Sequence, residues 1–433
     1  VLAEALVGNA AGPLRKALIE SGLGEDLSPG TGLHTWYRQI PFVVGLRGTD
    51  PEQAAAIERL ALDTLQAVAR DGLPRDLLEA AFHQVEFKGR EISQLRALDL
   101  LFRLMPVWLH DLDPLDPLRF PSLVDRLRGR WAREPELFSQ AIRRWLVDNP
   151  HRLRAVITPS RTAAAEFDAR VRARLEKIRS GMSAADVEKV RRAAEELREA
   201  QRAKDTPEAL ASLPQLRLEE VPRDADRIPT AERAEGPVRV YEHDIFTNGI
   251  GYLDLAFDVS DLPEEMQDLL PLFSSVATEM GAGGEDYAAF ATRKALVTGG
   301  VGMELRARER AGGGPPLQIL MLRASALGRN IPKMAQVVRD VLLRGDLDDV
   351  DRFRDVLAEE RNGLRSALVP RGSGFALRAA AASISPAAWR DEQWHGVRQF
   401  HVLNRLHKNF DPGQEELRAR LRALREEVFR RAR

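Results

Sequence analysis

Ten residues near the start of the chain, RKALIESGLG (15–24), return as RKALVTGGVG at 293–302. Arg-Lys-Ala-Leu and a closing Gly-x-Gly share one register in the two copies. Behind each copy the order of apolar patterns is also the same: a strand (FVVGL at 42–46, LQILMLRASAL at 317–327), a helix, then a second helix rich in Glu and Arg. A repeat on this scale implies two copies of one supersecondary plan, helix–strand–strand–helix–helix. The chain therefore reads as α+β, with two related α/β domains and a connecting region between them. Its 433 residues leave room for that at roughly 100–200 residues per domain.

Local signals set the boundaries. Residues 1–21 read as a helix, with Pro13 suited to a first turn. RQIPFVVGLRG (38–48) reads as a strand from its compact apolar centre. The segment 49–72 reads as a helix capped by Thr49 or Asp50, begun by Pro51 and stopped by Gly72. A further helix is expected over 73–93, more helices to about Asp148, and a strand at HRLRAVITP (151–159). Residues 161–205 change character. Phe167, Val171, Leu175 and Ile178 form one narrow stripe, and Val187, Val190, Ala194 and Leu197 form another. Gly181 can end the first helix, and Ser183 with Asp186 has capping-box spacing for the second. This predicts a helical hairpin. Residues 206–236 have the Pro- and charge-rich composition of an extended linker. A new domain then opens with strands at 238–245 and 249–260 and a helix at 263–281. The expected organisation is thus 1–160, 161–205, 206–236 and 237–433.

Composition narrows the function. Lys+Arg 64 against Asp+Glu 65 leaves a formal charge of −1, so bulk charge argues for neither nucleic acid nor an anionic membrane as partner. No cysteine is present, which removes disulfides, thiolate metal sites and thiol nucleophiles and fits a reducing compartment. No apolar run approaches the roughly 20 residues of a membrane span. The chain opens at Val1 inside an amphipathic segment, without Met or a cleavage signal. It reads as a piece of a longer protein.

The motif that demands a decision is HQVEF (83–87). An inverted zinc-peptidase site needs His-x-x-Glu-His on one helix. Here His83 and Glu86 are in place and Phe87 stands where the second His belongs. Helical spacing puts Leu78, Phe82, Val85 and Ile92 on an apolar face and Glu79, His83, Glu86 and Arg90 on a polar one. A catalytic zinc commonly takes three protein ligands plus a water. Two at most are available, so the polar face reads as a solvated charge ladder. The equivalent helix of the second copy, RFRDVLAEERNGLRSAL, has no His. His34, His110, His151 and His243 are scattered, and His395, His401 and His407 are six apart, a spacing that does not converge on one helix face. GAGGED (281–286), TGGVG (298–302) and GGGPP (312–316) lack the Lys-Ser/Thr of a phosphate loop and the strand–Gly–helix order of a dinucleotide site, and read as turns. No Gly-x-Ser-x-Gly elbow occurs. These residues therefore assign no catalytic, cofactor-binding or metal residue.

Several stretches taken together resemble one family. LVGNAAGPLRKALIESGLG (6–24), AAFHQVEF (80–87), LVDNPHRLRAVITPS (146–160), residues 243–281 and SISPAAWRDEQWHGVRQF (383–400) are similar, in the family's order, to the presequence-protease branch of the insulinase/pitrilysin-type zinc metallopeptidases. That resemblance implies four related sandwich-like α/β domains, each an antiparallel-rich sheet covered by helices, in two halves hinged by a helical hairpin. The halves close around a chamber in which peptides are degraded. It implies that 1–160 is most of the second domain, 161–205 the hinge and about 237–433 the third. The zinc site would lie in the absent first domain, the fourth domain would also be absent, and no catalytic residue carries over. The expectation is a non-catalytic central part of a zinc oligopeptidase, inactive alone, acting on peptides in the whole protein within a bacterial cytoplasm or an organelle matrix, with no nucleic acid or membrane partner. The alternative is a self-standing non-enzymatic pseudopeptidase or scaffold.

Overall fold

Both echoing segments build the same order of elements in the computed structural model, which describes residues 1–93, 95–224 and 227–430. Residues 225–226 of the expected linker and 431–433 of the last expected domain lie outside the described residues. In the first segment α1 (Leu2–Val7) and α2 (Pro13–Ile19) precede β1 (Asp26–Leu27), β2 (Gly32–Leu33), β3 (Phe42–Val43) and β4 (Leu46–Arg47). β1 pairs with β4 and β2 with β3, both antiparallel. The strand expected over 38–48 is therefore two short pieces. Pro41 has no N–H for a ladder and Gly45 weakens one, so pairing holds only on either side of Val44 and Gly45.

α3 (Ala54–Asp71) and α4 (Arg75–Arg90) follow. The Asp50 carboxylate caps the 3-10 turn that leads into α3, and Gly72, at φ 82°, stops it. α5 (Arg96–Trp108), α6 (Phe120–Arg133) and α7 (Leu137–Ile142) complete the segment. Two small cores hold it. Leu6, Leu14, Leu65 and Ile142 form one, and Leu78, Ala81, Phe82 and Phe138 the other. Residues 151–159, expected as a strand, are extended but unpaired, with Leu153 92% and Ile157 94% exposed. Apolar alternation reports a propensity, and a strand also needs an edge to bond.

Residues 155–230 form a compact unit of their own. α8 (Ala163–Ser180) ends at Gly181, and α9 (Ala184–Arg202) opens on the expected capping box: Ser183 Oγ accepts from Asp186 N–H at 3.2 Å while the Asp186 carboxylate accepts from Ser183 N–H at 3.0 Å. The two stripes do not bury one another as a closed hairpin would: Phe167, Leu175, Val190 and Leu197 all remain exposed. A short α10 (Pro207–Ala211) interrupts the expected linker.

The second segment belongs to one compact unit with residues 1–154. β5 (Ala231–Glu235) and β6 (Val238–Glu242) make a two-stranded hairpin. Its turn uses Gly236 at φ 60°, so the end of the expected linker is strand. β7 (Ile250–Asp258) leads to α11 (Glu264–Gln267), α12 (Leu270–Glu279) and α13 (Tyr287–Val297). The single helix expected over 263–281 is split because Pro271 cannot bond back to Gln267. β8 (Gly300–Arg308) and β9 (Leu317–Leu327) close an antiparallel sheet of order β7-β9-β8, in register from Ile250↔Leu327 and Gly300↔Ser325. Then come α14 (Ile331–Arg344), α15 (Val350–Leu368), α16 (Gly372–Ala381), α17 (Pro386–His395), α18 (Val397–Lys408) and α19 (Phe410–Arg430). Leu320, Leu322, Ala324 and Ala326 alternate along β9 and bury one face of the sheet, as a strand's period of two requires. Phe273, Phe353, Trp394 and Leu421 join them in a single large core. The chain is α+β.

Candidate functional site

α4 lies between two cores. Leu78, Ala81 and Phe82 face the core of the first segment, where Phe82 stacks on Trp131 with ring centroids 5.6 Å apart. The opposite face, expected in water, is not solvated. His83 is 5% exposed and Phe87 2%, and this face packs on α13 of the second segment. The charge-ladder reading of His83 is therefore corrected. The amphipathic pattern marks a polar face, and that face meets backbone carbonyls instead of solvent.

The carbonyls are the unpaired end of a helix. The last turn of α13 has no intrahelical donors for its C=O groups. Gly299, the next donor in line for Ala295, gives its N–H to Ser325 O at 2.7 Å instead. α4 supplies the missing donors. Gln84 Nε2 donates to Ala295 O at 2.8 Å and to Thr298 O at 2.7 Å. His83 Nδ1 donates to Ala295 O at 2.9 Å, using the carbonyl's second lone pair. His83 Nε2 is then the acceptor for Asn330 Nδ2 at 3.2 Å. Both ring nitrogens are committed and the imidazole is neutral. Burial pushes its pKa below the ordinary histidine value, against the pull of the Ala295 carbonyl.

One turn on, Glu86 holds Arg329 in a two-pronged pair at 3.1 and 2.8 Å and Arg90 at 3.1 Å. Burial works to raise the Glu86 carboxyl, but these guanidiniums outweigh it and hold the group below the usual range. Asn248 Nδ2 donates to Arg90 O at 2.9 Å and satisfies the end of α4 in its turn. Phe87, in the place of the missing histidine, buries its ring with Ile250 and Leu327 against Gly299.

Zinc does not fit these residues. The lone pair of His83 is occupied by Asn330, Glu86 is engaged on both oxygens, and the fifth position is an aromatic ring. Among the described residues no group of three or more His, Asp or Glu side chains stands close enough together to hold a metal ion. The evenly spaced histidines do not meet. His395 pairs with Asp391 at 2.9 Å and helps hold that carboxyl down to about 2. His407 Nδ1 accepts from Arg361 at 2.8 Å, and its pKa is lowered by burial and by that guanidinium.

The seam continues beyond α4. The Tyr287 hydroxyl donates to Glu20, Arg361 pairs with Glu25 at 2.7 Å, and Arg15 pairs with Glu359 at 3.2 Å. Nearby, burial pushes the Asp355 carboxyl up to about 6. This arrangement can dock two segments of one chain, and its donors are spent on doing so. Sequence reasoning missed Gln84, Phe87, Asn248, Gly299 and Arg329. The available signal was Phe87 itself, an aromatic four residues after His83 on an otherwise polar face.

The family described as Peptidase M16-C associated matches residues 157–406. Presequence protease 1, chloroplastic/mitochondrial, of Arabidopsis thaliana is 30% identical over 431 residues, 98% of this chain and 40% of that protein. Protein HypA of Clostridium perfringens is 26% identical over 94% of this chain and 42% of its own length. The mitochondrial presequence protease of Yarrowia lipolytica is 26% identical over 94% of this chain and 41% of its own. The chain thus spans about 40% of the length of these relatives. The solved periplasmic protease PqqL from Escherichia coli aligns over 99% of this chain and 44% of its own at 15% identity and a TM-score of 0.30, too low for any argument about architecture. Among the described residues no helix is long and apolar enough to cross a membrane.

Proposed function

The chain belongs to this peptidase-associated family, on the presequence-protease branch, and from that premise we propose that it is a non-catalytic central part of a longer zinc oligopeptidase. In this reading residues 1–160 and 237–433 are two related sandwich-like domains that form wall around a peptide chamber. Residues 161–205 are the hinge and 206–236 the linker. Zinc and its ligands belong to a part of the whole protein that precedes this chain, and peptides are the substrate. A bacterial cytoplasm or an organelle matrix suits a chain without cysteine.

The observation that carries the reading is the use made of HQVEF. His83, Gln84, Glu86 and Phe87 each bind or pack against the second segment. The helix that most resembles a zinc helix is thus committed to docking. The test is peptide turnover by the purified 433-residue chain with added zinc, beside a longer protein that carries an upstream His-x-x-Glu-His. The chain alone should show no chelator-sensitive cleavage and the longer protein should show it. Zinc-dependent turnover by the chain alone overturns the reading, as does a longer protein that is inert towards peptides.

A further inference from the structure

A cavity of about 370 Å³ opens between the end of α4, the first turns of α5 and the start of α6. Arg90, Arg96, Arg103 and Glu86 line it. Glu86 contributes little free negative charge there, because Arg329 and Arg90 already engage it. Arg96 and Arg103 have no carboxylate partner among the described residues. Arg96 gives one N–H to Glu91 O at 3.0 Å. Arg103 donates no hydrogen bond to any described residue.

Arg103 is nonetheless held in place. Its guanidinium lies over the Phe120 ring, 5.6 Å from the centroid. Phe120 in turn rests on the α4 backbone at Gly89, where a Cβ would stand 2.1 Å from ring atom Cε1. Stacking fixes the plane of a guanidinium and leaves its edge donors free for a planar oxyanion. A second cavity of about 420 Å³ lies against the same two arginines and adds Trp36 and Phe102, whose rings meet edge to face at 6.0 Å. The two spaces together offer cationic donors beside an aromatic wall.

We infer that Arg96 and Arg103 form a subsite for the carboxylate of a peptide whose apolar residues lie along Trp36 and Phe102. This rests on the peptide-handling reading and names where on this chain a peptide would be gripped. A carboxylate takes two parallel N–H donors from one guanidinium, which Arg103 has unspent.

The test compares two probes on the 433-residue chain by calorimetry: a short Leu- and Phe-containing peptide with a free C-terminus, and the same peptide as its C-terminal amide. The free acid should bind about tenfold more tightly, the scale of one charge-assisted pair. Arg103→Ala should abolish that difference and Arg103→Lys should restore only part of it. Arg96→Ala, read the same way, decides the matter if Arg103→Ala does not fold. Equal binding of acid and amide overturns the carboxylate subsite and leaves the peptide-handling reading standing. Binding of neither probe, or a preference that survives both alanine variants, also overturns the subsite. The broader reading falls only on the turnover test of the longer protein.

Discussion

Phe87 stands over Gly299 at a distance that only glycine allows: a Cβ at 299 would lie 2.1 Å from the ring's Cζ and 2.2 and 2.3 Å from its Cε atoms. The ring is 2% exposed and has nowhere to retreat. Gly299→Ala should therefore cost about 1–3 kcal/mol as overpacking, and Phe87→Ala about 3–5 kcal/mol as a lost buried aromatic. The cost of the alanine at 299 should largely vanish once Phe87 is gone, because the two act through one contact. Denaturant midpoints of the two single variants and the double variant measure this. Strictly additive costs would mean that the ring does not rest on the glycine.

Phe87→His writes the full His-x-x-Glu-His into α4. Zinc should still not bind in stoichiometric amount. His83 would have to give up Ala295 and Asn330, and Glu86 would have to leave Arg329. Each exchange leaves a buried polar group without its partner, at about 1–3 kcal/mol apiece. Metal analysis after dialysis reads the outcome directly. One zinc per chain would show that the seam opens far more readily than its hydrogen bonds imply.

The order of elements was legible because the repeat and the local signals agree. Gly72 stops α3 and Ser183 with Asp186 opens α9, as their side chains dictate. What stayed hidden was the environment of a polar face. Period 3.6 separates His83 from Phe82, but it does not distinguish water from the orphan carbonyls of α13, 212 residues away in sequence. Those acceptors are backbone atoms and leave no trace in composition. Residues 151–159 failed for a related reason. Their alternation is a statement about two faces, and pairing depends on a partner elsewhere. The cavity beside α5 was invisible because Arg103 looks like any other surface arginine until Phe120 is placed beneath it.

The neutrality of His83 carries a pH signature. Its folded pKa lies below the ordinary 6.5, so between the two values the unfolded chain binds more protons. Stability from this group is full above about 6.5 and is lost as pH falls through the folded value. Asp355 has the opposite sign. Raised from 3.8 to about 6, it stabilises below 3.8 and loses that contribution as pH rises through about 6. His83→Gln keeps an amide donor for Ala295 but does not titrate. Unfolding midpoints from about pH 5 to about pH 7, the range in which histidine changes charge, should rise with pH more steeply in the unaltered protein than in the variant. Identical slopes would show that His83 is as exposed folded as unfolded.

Two helical glycines should answer the same substitution with opposite signs. Gly363, in the middle of α15, has nothing within 4 Å of a would-be Cβ, so alanine there should stabilise by about 0.5–1 kcal/mol through the backbone entropy it removes. Gly89, in the last turn of α4, meets Phe120 Cε1 at 2.1 Å and Cδ1 at 2.5 Å. Alanine there gains the same helix propensity but must displace the ring, and a net loss of about 1–3 kcal/mol is expected. The consequence reaches further than stability. Phe120 is the platform on which the Arg103 guanidinium lies, so Gly89→Ala should also erase the preference for a free carboxylate over its amide while leaving Arg103 in the chain. Thermal unfolding of both variants and the two-peptide titration on Gly89→Ala check this together. A stabilised Gly89→Ala that keeps the preference would mean that Phe120 swings clear and that the guanidinium is held by something other than the ring.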